Sequence, residues 1–447
     1  MNHTQRLAGG MAAARLLLLF TAGVAILALP VGLSAQVSDS LTLGAVYRTL
    51  DRGTPRIAAA AASARAQAAR VAPVRRLPDP RIQFGLMNRA LPGFGLDPVL
   101  GMTQIQVTQM IPTAGKLGLS GQVARARADA AAARAADVRW AERSRAAMAF
   151  YELYQVDRAI VVTRETQDIL RDIVSTTQTM YSVGEGQQAD VLRAQVELAR
   201  MTEDLVVMQA MRLSAAARLN AVLNRPLGTA VPSPVLPGFP ESLSPLDSLV
   251  TLALANRPML LAGASDVRAA LSAERLARRE IWPDLEAGVQ YGWQPMAGGT
   301  NHMLSLMVGI NLPIWAGSRQ LAMRDETRAM REMTEADLGA MEADTRGRVA
   351  ELVASVDRAH SLIQLYRNTV IPQSEATVTS SQSAYRVGSV NFMTLLDAAM
   401  NVNRYRQELF RMEAELGQAI AELEMVTGTQ LMNPDAVPSG TSPGGPR

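Results

Sequence analysis

The sequence repeats itself once at a nearly constant separation, and this duplication constrains the fold more than any other feature. The segment YSVGEGQQADVL, which starts at Tyr181, is matched by YRVGSVNFMTLL, which starts at Tyr385, 204 residues later. Three proline landmarks pair in the same order at separations of 201 to 205: Pro55 with Pro258, Pro78 with Pro283, and Pro112 with Pro313. Because four landmarks keep one order and one spacing, we expect one structural unit built twice.

Each unit contains a segment long enough to form a rod-like helix. Residues 122–183 include no glycine and no proline, so they can form one helix of 62 residues, about 93 Å long. In the second half, apolar residues step by four and three, as in the seam of a coiled coil: Leu352, Val356, Ala359, Ile363, Tyr366 and Val370. Thr163 and Gln167 interrupt the equivalent seam of the first half, which predicts looser packing there. Pro372 should remove one backbone hydrogen bond and bend the second rod.

Between a short helix and this rod, each unit has two stretches with a period of two. Apolar residues alternate with polar or small ones over four stretches, about 80–87, 103–111, 284–291 and 303–312. Glycine- and proline-rich segments, 88–102 and 292–302, connect the members of each pair. The pattern therefore predicts one β-hairpin in each half.

These hairpins could belong to a half-buried soluble sheet or to the wall of a membrane barrel. Four strands are too few to cover rods about 90 Å long, whereas strands of about nine residues match a tilted crossing of an outer membrane. A barrel wall turns one face to lipid and the other to a water-filled lumen. Four strands cannot close a barrel, so other copies must complete it, and twelve strands from three chains are the smallest comfortable solution. The predicted fold class is mainly α with a β-barrel portion, in a homotrimer.

The pattern along the chain divides it into five segments. Residues 1–35 are typical of a secretion signal, with Arg6 and Arg15 before an apolar run and cleavage expected after Ala35. A membrane anchor is disfavoured, because about 14 apolar residues fall short of the roughly 20 that a spanning helix needs. The remaining predictions are a first repeat over 36–228 (long helix about 116–181, return helix about 188–223), a proline-rich linker over 229–245, a second repeat over 246–428 (long helix about 318–384, return helix about 391–427) and a flexible tail over 429–447.

Composition and motifs argue against an enzyme or a nucleic-acid-binding protein. The absence of cysteine excludes disulfides, thiolate metal sites and a cysteine nucleophile. A net charge of +3, from 44 basic and 41 acidic residues, gives no footprint for nucleic acid. His302 and His360 are the only histidines after the predicted signal, and no HExxH or GxxxxGK[ST] motif accompanies them. We therefore predict no catalytic site, no cofactor and no metal site.

Three stretches carry a resemblance to a known family. Residues 370–398, VIPQSEATVTSSQSAYRVGSVNFMTLLDA, are similar to the second-repeat signature of the TolC-type outer-membrane efflux channels, and IPTAGKL and LPIWAGSR resemble their strand-to-helix junctions. The resemblance implies a homotrimer in the cell outer membrane, whose 12-stranded barrel continues into a helical barrel across the periplasm. The implied partners are a periplasmic adaptor protein and a proton-driven inner-membrane efflux pump. IPTAGKLGL is closer to the heavy-metal efflux branch than to the drug branch.

The same resemblance implies roles for residues near the two helix reversals. Asp397 matches an acidic residue that lines the periplasmic constriction, and Asp190 with Tyr385 match a pair that helps to close it. Thr394 stands where some members carry another acidic residue, which weakens the expected cation selection. The reversals themselves match adaptor-docking turns, formed here by Val183, Gly184, Glu185, Gly186, Val387, Gly388 and Ser389. The glycines permit a left-handed residue at a helix end, and this structural role could be their only one.

Three further questions stay open in the sequence. A secreted structural coiled coil or adhesin would explain the helical seams but would leave the duplicated hairpins unexplained. Met323, Met330 and Met341 step along the second rod, and packing in helix seams accounts for them better than a ladder for soft metal ions. The exported substrate, drug or metal ion, is not determined, because an open conduit need not recognise its cargo.

Overall fold

The computed structural model describes residues 40–90, 93, 95–97, 100–296 and 298–436, all within one structural unit. The predicted signal peptide, residues 1–35, lies outside the described residues. The strands are β1 Ser40–Leu41, β2 Arg81–Met87, β3 Arg89–Ala90, β4 Gly95–Leu96, β5 Met102–Ile111, β6 Ser233–Pro234, β7 Asp284–Met296 and β8 Gly299–Asn311. The helices are α1 Leu43–Asp51, α2 Pro55–Ala69, α3 Val71–Val74, α4 Lys116–Ser182, α5 Gln188–Val222, α6 Leu246–Asn256, α7 Pro258–Arg279, α8 Gln320–Leu365, α9 Ile371–Arg386 and α10 Phe392–Thr427.

The two hairpins lie side by side in one antiparallel sheet with the strand order β2-β5-β7-β8. β2 pairs with β5 and β7 pairs with β8 within the hairpins, and β5 pairs with β7 where the hairpins meet. The second hairpin is longer than the sequence pattern predicts. Pairing continues from Trp293 opposite His302 to Met296 opposite Gly299, so most of the expected loop 292–302 is strand. β2 and β8 form the edges, and neither pairs on its outer side within the described residues.

The long helix of the first half is continuous, whereas that of the second half is interrupted. α4 runs for 67 residues, about 100 Å at 1.5 Å per residue. In the second half, Tyr366–Val370 form a π-helical turn between α8 and α9. The N–H of Ile371 bonds to the carbonyl of Tyr366, five residues earlier, and Pro372 occupies the first turn of α9. Pro372 thus changes the hydrogen-bond spacing of the rod, because a proline has no N–H for the normal helical pair.

α4 is the central helix of the described chain. It packs against α2, α5, α7 and α10, while α8 packs against α7 and α10, and α9 packs against α10. Phe150, Tyr151 and Leu153 of α4 are fully buried in the largest apolar cluster. Gly417 of α10 leaves room for this cluster, since a Cβ there would overlap the Tyr151 ring. The helices α5 and α8 share no extensive contact within the described residues, so they lie at opposite margins of the helical layer.

The segments that follow the two return helices also pack onto the core. In the linker, Val231 is buried, and Leu236 and Phe239 pack beside it. Residues 429–436, which the sequence analysis assigns to a flexible tail, instead fold back onto the core. Met432 is buried, and the carbonyl of Ala436 accepts a 2.7 Å hydrogen bond from the N–H of Gly238. Burial of an apolar side chain and pairing of the backbone account for this difference; the rest of the predicted tail, 437–447, lies outside the described residues.

The two return helices end with the same backbone geometry. Asn224 follows the end of α5 and Gly428 follows α10, 204 residues later, and both have left-handed backbone with φ of 53° and 65°. Four residues before each of them, a buried polar side chain holds the chain that leaves the helix. Asn220 donates to the carbonyls of Leu227 and Thr229 at 3.2 and 2.8 Å. Glu424 accepts from the N–H groups of Leu431 and Met432 at 2.8 and 3.0 Å.

Candidate functional site

The first candidate site is the face of the four-stranded sheet that carries the apolar residues. Directly opposed residues of antiparallel strands point to the same side of a sheet. The register therefore builds continuous apolar rows across both hairpins: Ile82, Val107, Val289 and Leu306 in one, and Phe84, Ile105, Tyr291 and Leu304 in the next. Both halves of the chain contribute to the same apolar surface.

The opposite face of the sheet is polar. Gln83, Gln106, Gln290 and Ser305 form the row that alternates with the two apolar rows. The side-chain amide of Gln290 donates to the amide oxygen of Gln104, so the polar groups of neighbouring strands contact one another. One face of the sheet is thus suited to an apolar environment and the other to water.

No element of the described chain covers the apolar face. Leu306 is 79% exposed and Val308 is 81% exposed, and Ile82 and Phe84 at the other edge are 68% and 64% exposed. A contiguous apolar surface of this kind is unusual in a soluble monomer and marks a contact with a membrane or with other protein chains.

Aromatic residues bracket the apolar rows. At the hairpin end, Tyr291 stacks on His302, with the hydroxyl 2.7 Å from Nδ1, and Trp293 lies beside it. At the helical end, Trp282 precedes β7 and Trp315 follows β8, and both are exposed. Aromatic rings of this type concentrate at the two interfaces of a membrane, where an apolar body and a polar edge are both satisfied.

A polar cluster connects the two hairpins where the sheet meets the helices. Lys116, the single lysine, is buried at the start of α4 and donates to Oδ1 of Asp284 and to the carbonyl of Trp282, both at 2.9 Å. Glu280 lies 3.6 Å from the ammonium group. The N–H of Thr113 donates to the same Asp284 carboxylate at 3.1 Å. This cluster, called the junction latch below, ties the end of β5 to the start of β7.

The second candidate site is the helix-reversal end of the molecule, where α4 turns into α5 and α9 turns into α10. Gly184 and Gly388 follow the helix ends in the left-handed conformation, with φ of 80° and 72°. The N–H of Glu185 bonds to the carbonyl of Met180 at 2.9 Å, and that of Ser389 bonds to Ala384 at 2.9 Å. These are Schellman caps, so the two reversals share one backbone conformation that favours glycine at its left-handed position.

The return helices begin differently in the two halves. Asn391 caps α10, because its side-chain oxygen accepts from the N–H of Thr394 at 2.9 Å and from the Thr394 hydroxyl at 2.8 Å. Gln187 precedes α5 without a side-chain cap. Thr394, predicted to stand at the constriction in place of an acid, therefore also contributes its hydroxyl to a helix cap.

The remaining predicted constriction residues lie close to the reversals. Tyr385 is buried and packs edge-on against Phe392, with ring centroids 6.2 Å apart. Burial, together with the nearby Asp190 carboxylate, raises the pKa of the Tyr385 hydroxyl. No hydrogen bond joins Asp190 to Tyr385 within the described residues, so the chain brings this pair into electrostatic range but not into direct contact. Asp397 is exposed on α10.

Most of the docking-turn residues are exposed, whereas Tyr385 and Phe392 are buried. Val183 is 64% exposed and Val387 is 78% exposed, although both are apolar. Gly184, Glu185, Gly388 and Ser389 are exposed beside them, and Gly186 is partly covered. Beneath the turns, Leu170, Ile173, Phe392 and Leu395 belong to one apolar cluster that joins helices of both halves. The exposed turns thus lie next to a packed apolar cluster.

Several polar groups of consequence were not identified from the sequence. Glu413, buried on α10, accepts from the Tyr154 hydroxyl at 2.6 Å and from Arg367 of the π-turn at 2.7 Å. Burial, followed by the Glu413 charge, raises the pKa of Tyr154. Nothing in the sequence signals this network, because its members are far apart along the chain. The junction latch did have a signal, since Lys116 is the only lysine of the chain and lies five residues after the last residue of β5.

The three methionines of the second rod differ in how far they pack within the chain. Met323 and Met330 are 43% and 52% exposed, whereas Met341 is partly buried. No group of three or more His, Asp or Glu side chains placed to hold a metal ion occurs in the described part of the chain. None of the helices among the described residues combines the length and apolar composition that a membrane-spanning helix requires.

A comparison with protein-family models matches the chain to the outer membrane efflux protein family over residues 46–225 and 249–429. The two matched segments correspond to the two repeats. A comparison with curated proteins finds no match.

Solved structures share the fold. The outer-membrane channel OprN superposes with a TM-score of 0.73 at 18% identity, covering 86% of this chain and 89% of that one. CusC gives a TM-score of 0.75 at 14% identity, covering 87% and 92%. The outer membrane protein VceC from Vibrio cholerae gives 0.72 at 15% identity, covering 87% and 96%. At these identities the likeness concerns the fold alone.

Proposed function

Because this chain belongs to the outer membrane efflux protein family, we propose that it is the outer-membrane channel of a tripartite efflux system. In this role it is a passive exit duct, and it docks to a periplasmic adaptor protein and a proton-driven inner-membrane pump. The observation that carries the proposal is the sheet, which has an exposed apolar face, a polar opposite face and two edges that pair with no strand among the described residues.

The sheet supports the proposal through its two faces. Lipid would cover the apolar rows, and the aromatic residues at both ends would lie at the two membrane interfaces. The glutamine row would face a water-filled lumen. This arrangement leaves no apolar row exposed to water.

The edges of the sheet support a homotrimer. An unpaired strand in a membrane leaves backbone N–H and C=O groups without partners, which costs several kcal/mol per group. Pairing β8 of one copy with β2 of the next satisfies both edges. Three copies would give a closed barrel of 12 strands from the four that each chain supplies.

The long helices support a periplasmic portion. α4 extends about 100 Å from the sheet, far more than a membrane is thick. The helical layer of each copy has two exposed margins, formed by α5 on one side and by α8 with α9 on the other. These margins would pack against neighbouring copies to form a helical barrel. The helix reversals then lie at the end remote from the outer membrane, where Val183 and Val387 offer exposed apolar contacts to the adaptor.

The constriction would lie at the same end. In a trimer, three copies of Asp397 would surround one axis and attract cations. Asp190 and Tyr385 would stabilise the closed form through a hydrogen bond that assembly completes. The cargo is drugs or heavy-metal ions, and selection between them would rest with the pump, because a polar conduit need not recognise what it carries.

Outer-membrane fractionation and planar-bilayer recording test the channel assignment. The purified chain should migrate as a heat-sensitive trimer on detergent gels, and crosslinking in mild detergent should stop at three subunits. It should also conduct ions across a bilayer. A stable water-soluble monomer, or a fibrous assembly without conductance, would favour the structural coiled-coil alternative.

Single-channel recording of four variants tests the constriction. Asp397→Ala should reduce block by multivalent cations, because a ring of three carboxylates is lost. Asp190→Ala and Tyr385→Phe should raise conductance, because removing a tie favours the open form. Ser389→Ala, which alters an exposed turn, should leave both properties unchanged. Unaltered block in Asp397→Ala would remove the role assigned to that residue.

A further inference from the structure

The junction latch lies at the boundary between two repeats. It joins the end of the first hairpin, through Lys116, to the start of the second hairpin, through Asp284. In a closed barrel built from repeats, an equivalent boundary must occur wherever the second hairpin of one copy meets the first hairpin of the next. The chain therefore contains one complete latch and the two halves of another.

The unpaired halves are identifiable by their position in the repeat. Asp79 follows Pro78 as Asp284 follows Pro283; Asp284 is the first residue of β7, and Asp79 lies two residues before the start of β2. Arg319 is the first cationic residue after β8, as Lys116 is after β5. Both Asp79 and Arg319 are exposed, and neither side chain has an ion pair or hydrogen bond within the described residues, although Arg76 and Arg81 are close to Asp79 in sequence.

The strand pairing shows whether this equivalence gives a consistent register at the edges of the sheet. Transferring the β5–β7 register to the sheet edges through the repeat places Ile310 of one copy opposite Ile82 of the next. Val308 then lies opposite Phe84, and Leu306 lies opposite Leu86. Apolar residues meet apolar residues throughout, so the apolar rows continue across the boundary.

We propose that Arg319 of one copy binds Asp79 of the neighbouring copy and that this second latch closes the barrel at each boundary between copies. The proposal rests on the homotrimeric channel proposed above. Arg319 would donate to the Asp79 carboxylate and to the carbonyl of Leu77, which stands where Trp282 stands in the first latch. Arg75 replaces Glu280, so the second latch has one acid where the first has two. More residues separate β8 from Arg319 than separate β5 from Lys116. The arginine side chain also offers more hydrogen-bond donors than the lysine side chain.

Site-directed crosslinking tests the contact directly, because the chain contains no cysteine. Asp79→Cys combined with Arg319→Cys should give dimer and trimer bands with a short bismaleimide in outer-membrane preparations. Each single variant should give neither band. Within one chain the two edge strands are about 14 Å apart, at about 4.8 Å for each of three spacings, so a shorter reagent reports contact between copies. Lys116→Cys with Asp284→Cys is the matched control, and it should crosslink within one chain without forming these bands.

Charge reversal tests whether the contact stabilises the assembly. Asp79→Arg and Arg319→Asp should each lower the temperature at which the trimer dissociates in SDS, and the combined variant should recover most of the loss. If the unmodified chain forms a conducting trimer but the cysteine pair gives no bands, or the combined variant is no more stable than the single ones, the second latch is wrong. If the unmodified chain shows neither trimer nor conductance, the proposed function fails instead.

Discussion

The two halves of the chain share a hairpin, a long helical rod and a return helix in the same order, but different side chains hold these elements. At the end of the return helices, Asn220 donates to two carbonyls, whereas Glu424, 204 residues later, accepts from two N–H groups. Both side chains hold a chain that leaves through a left-handed residue. The comparison teaches that the repeat is preserved as backbone geometry, while the polarity of the hydrogen bonds that fix it can be reversed.

The rods and the junctions differ for another reason. α4 is one continuous helix, whereas a π-turn separates α8 from α9 at Pro372. The first junction is closed by Lys116 and Asp284, whereas Arg319 and Asp79 remain unpaired in the described residues. The difference between the rods follows from the missing N–H of Pro372. The difference between the junctions follows from the position of Arg319 and Asp79 at the two edges of the sheet.

The largest effect is expected from Asn220→Asp. The variant places a carboxylate at a fully buried position against the carbonyl oxygens of Leu227 and Thr229, so it should lower the free energy of unfolding by about 3 to 5 kcal/mol. Lower pH should reduce the loss, because a protonated aspartate regains one donor. Urea titration in detergent at pH 5 and pH 8 measures both. A variant as stable as the wild type would mean that the amide donors of Asn220 contribute nothing.

Arginine on the sheet tests whether both halves contribute equally to the membrane face. Val107→Arg and Val289→Arg change neighbours in one row, so each should cost about 2 to 4 kcal/mol if the row lies near mid-bilayer. Gln106→Arg and Gln290→Arg are the matched controls on the polar face and should be tolerated. The yield of folded trimer in outer membranes is the readout. Equal losses on the two faces would show that the lipid and lumen faces are assigned incorrectly.

Exchanging proline between the rods tests the difference in helix type. Asp168 lies 204 residues before Pro372, in the continuous part of α4, and Asp168→Pro should destabilise by about 3 kcal/mol. Asp168→Ala controls for the loss of its exposed pair with Arg171. Pro372→Ala should change stability by no more than about 1 kcal/mol, because the π-turn already accommodates the ring. Thermal unfolding followed by circular dichroism compares them, and equal losses would contradict this account.

The smallest effect is expected from Glu424→Gln. Burial raises the pKa of Glu424, so the folded chain binds this proton more tightly than the unfolded chain does. The wild type should therefore lose some stability as pH rises from the ordinary glutamate pKa through the raised value. The variant keeps an acceptor for Leu431 and Met432 and should lack this step, so it should equal the wild type at low pH and gain about 1 kcal/mol or less at pH 8. Identical pH profiles would argue against this role of the carboxyl group.

The sequence predictions succeeded where a feature depends on residues that are close in sequence, and they were less complete where it depends on pairing between segments. The family resemblance is confirmed by the family match over both repeats. The alternation over 285–291 predicted a strand that the structure contains, but the predicted strand ended where the alternating pattern ends, while the hairpin itself continues to Met296. Backbone pairing can propagate through residues such as Pro295 and Gly299 that show no strand pattern, so a local pattern underestimates the length of a strand.

The sequence by itself determined the duplication, the two hairpins with one apolar face, and the long helices, because each depends on periodicity or on glycine and proline over a few neighbouring residues. The tertiary structure alone decided which polar groups meet. Lys116 reaches Asp284, Tyr154 reaches Glu413, and the tail returns to Glu424. It also decided that Met323 and Met330 stay uncovered. These outcomes depend on how distant segments pack, and the free energy of a buried polar pair or an exposed apolar side chain is set by neighbours that no local pattern specifies.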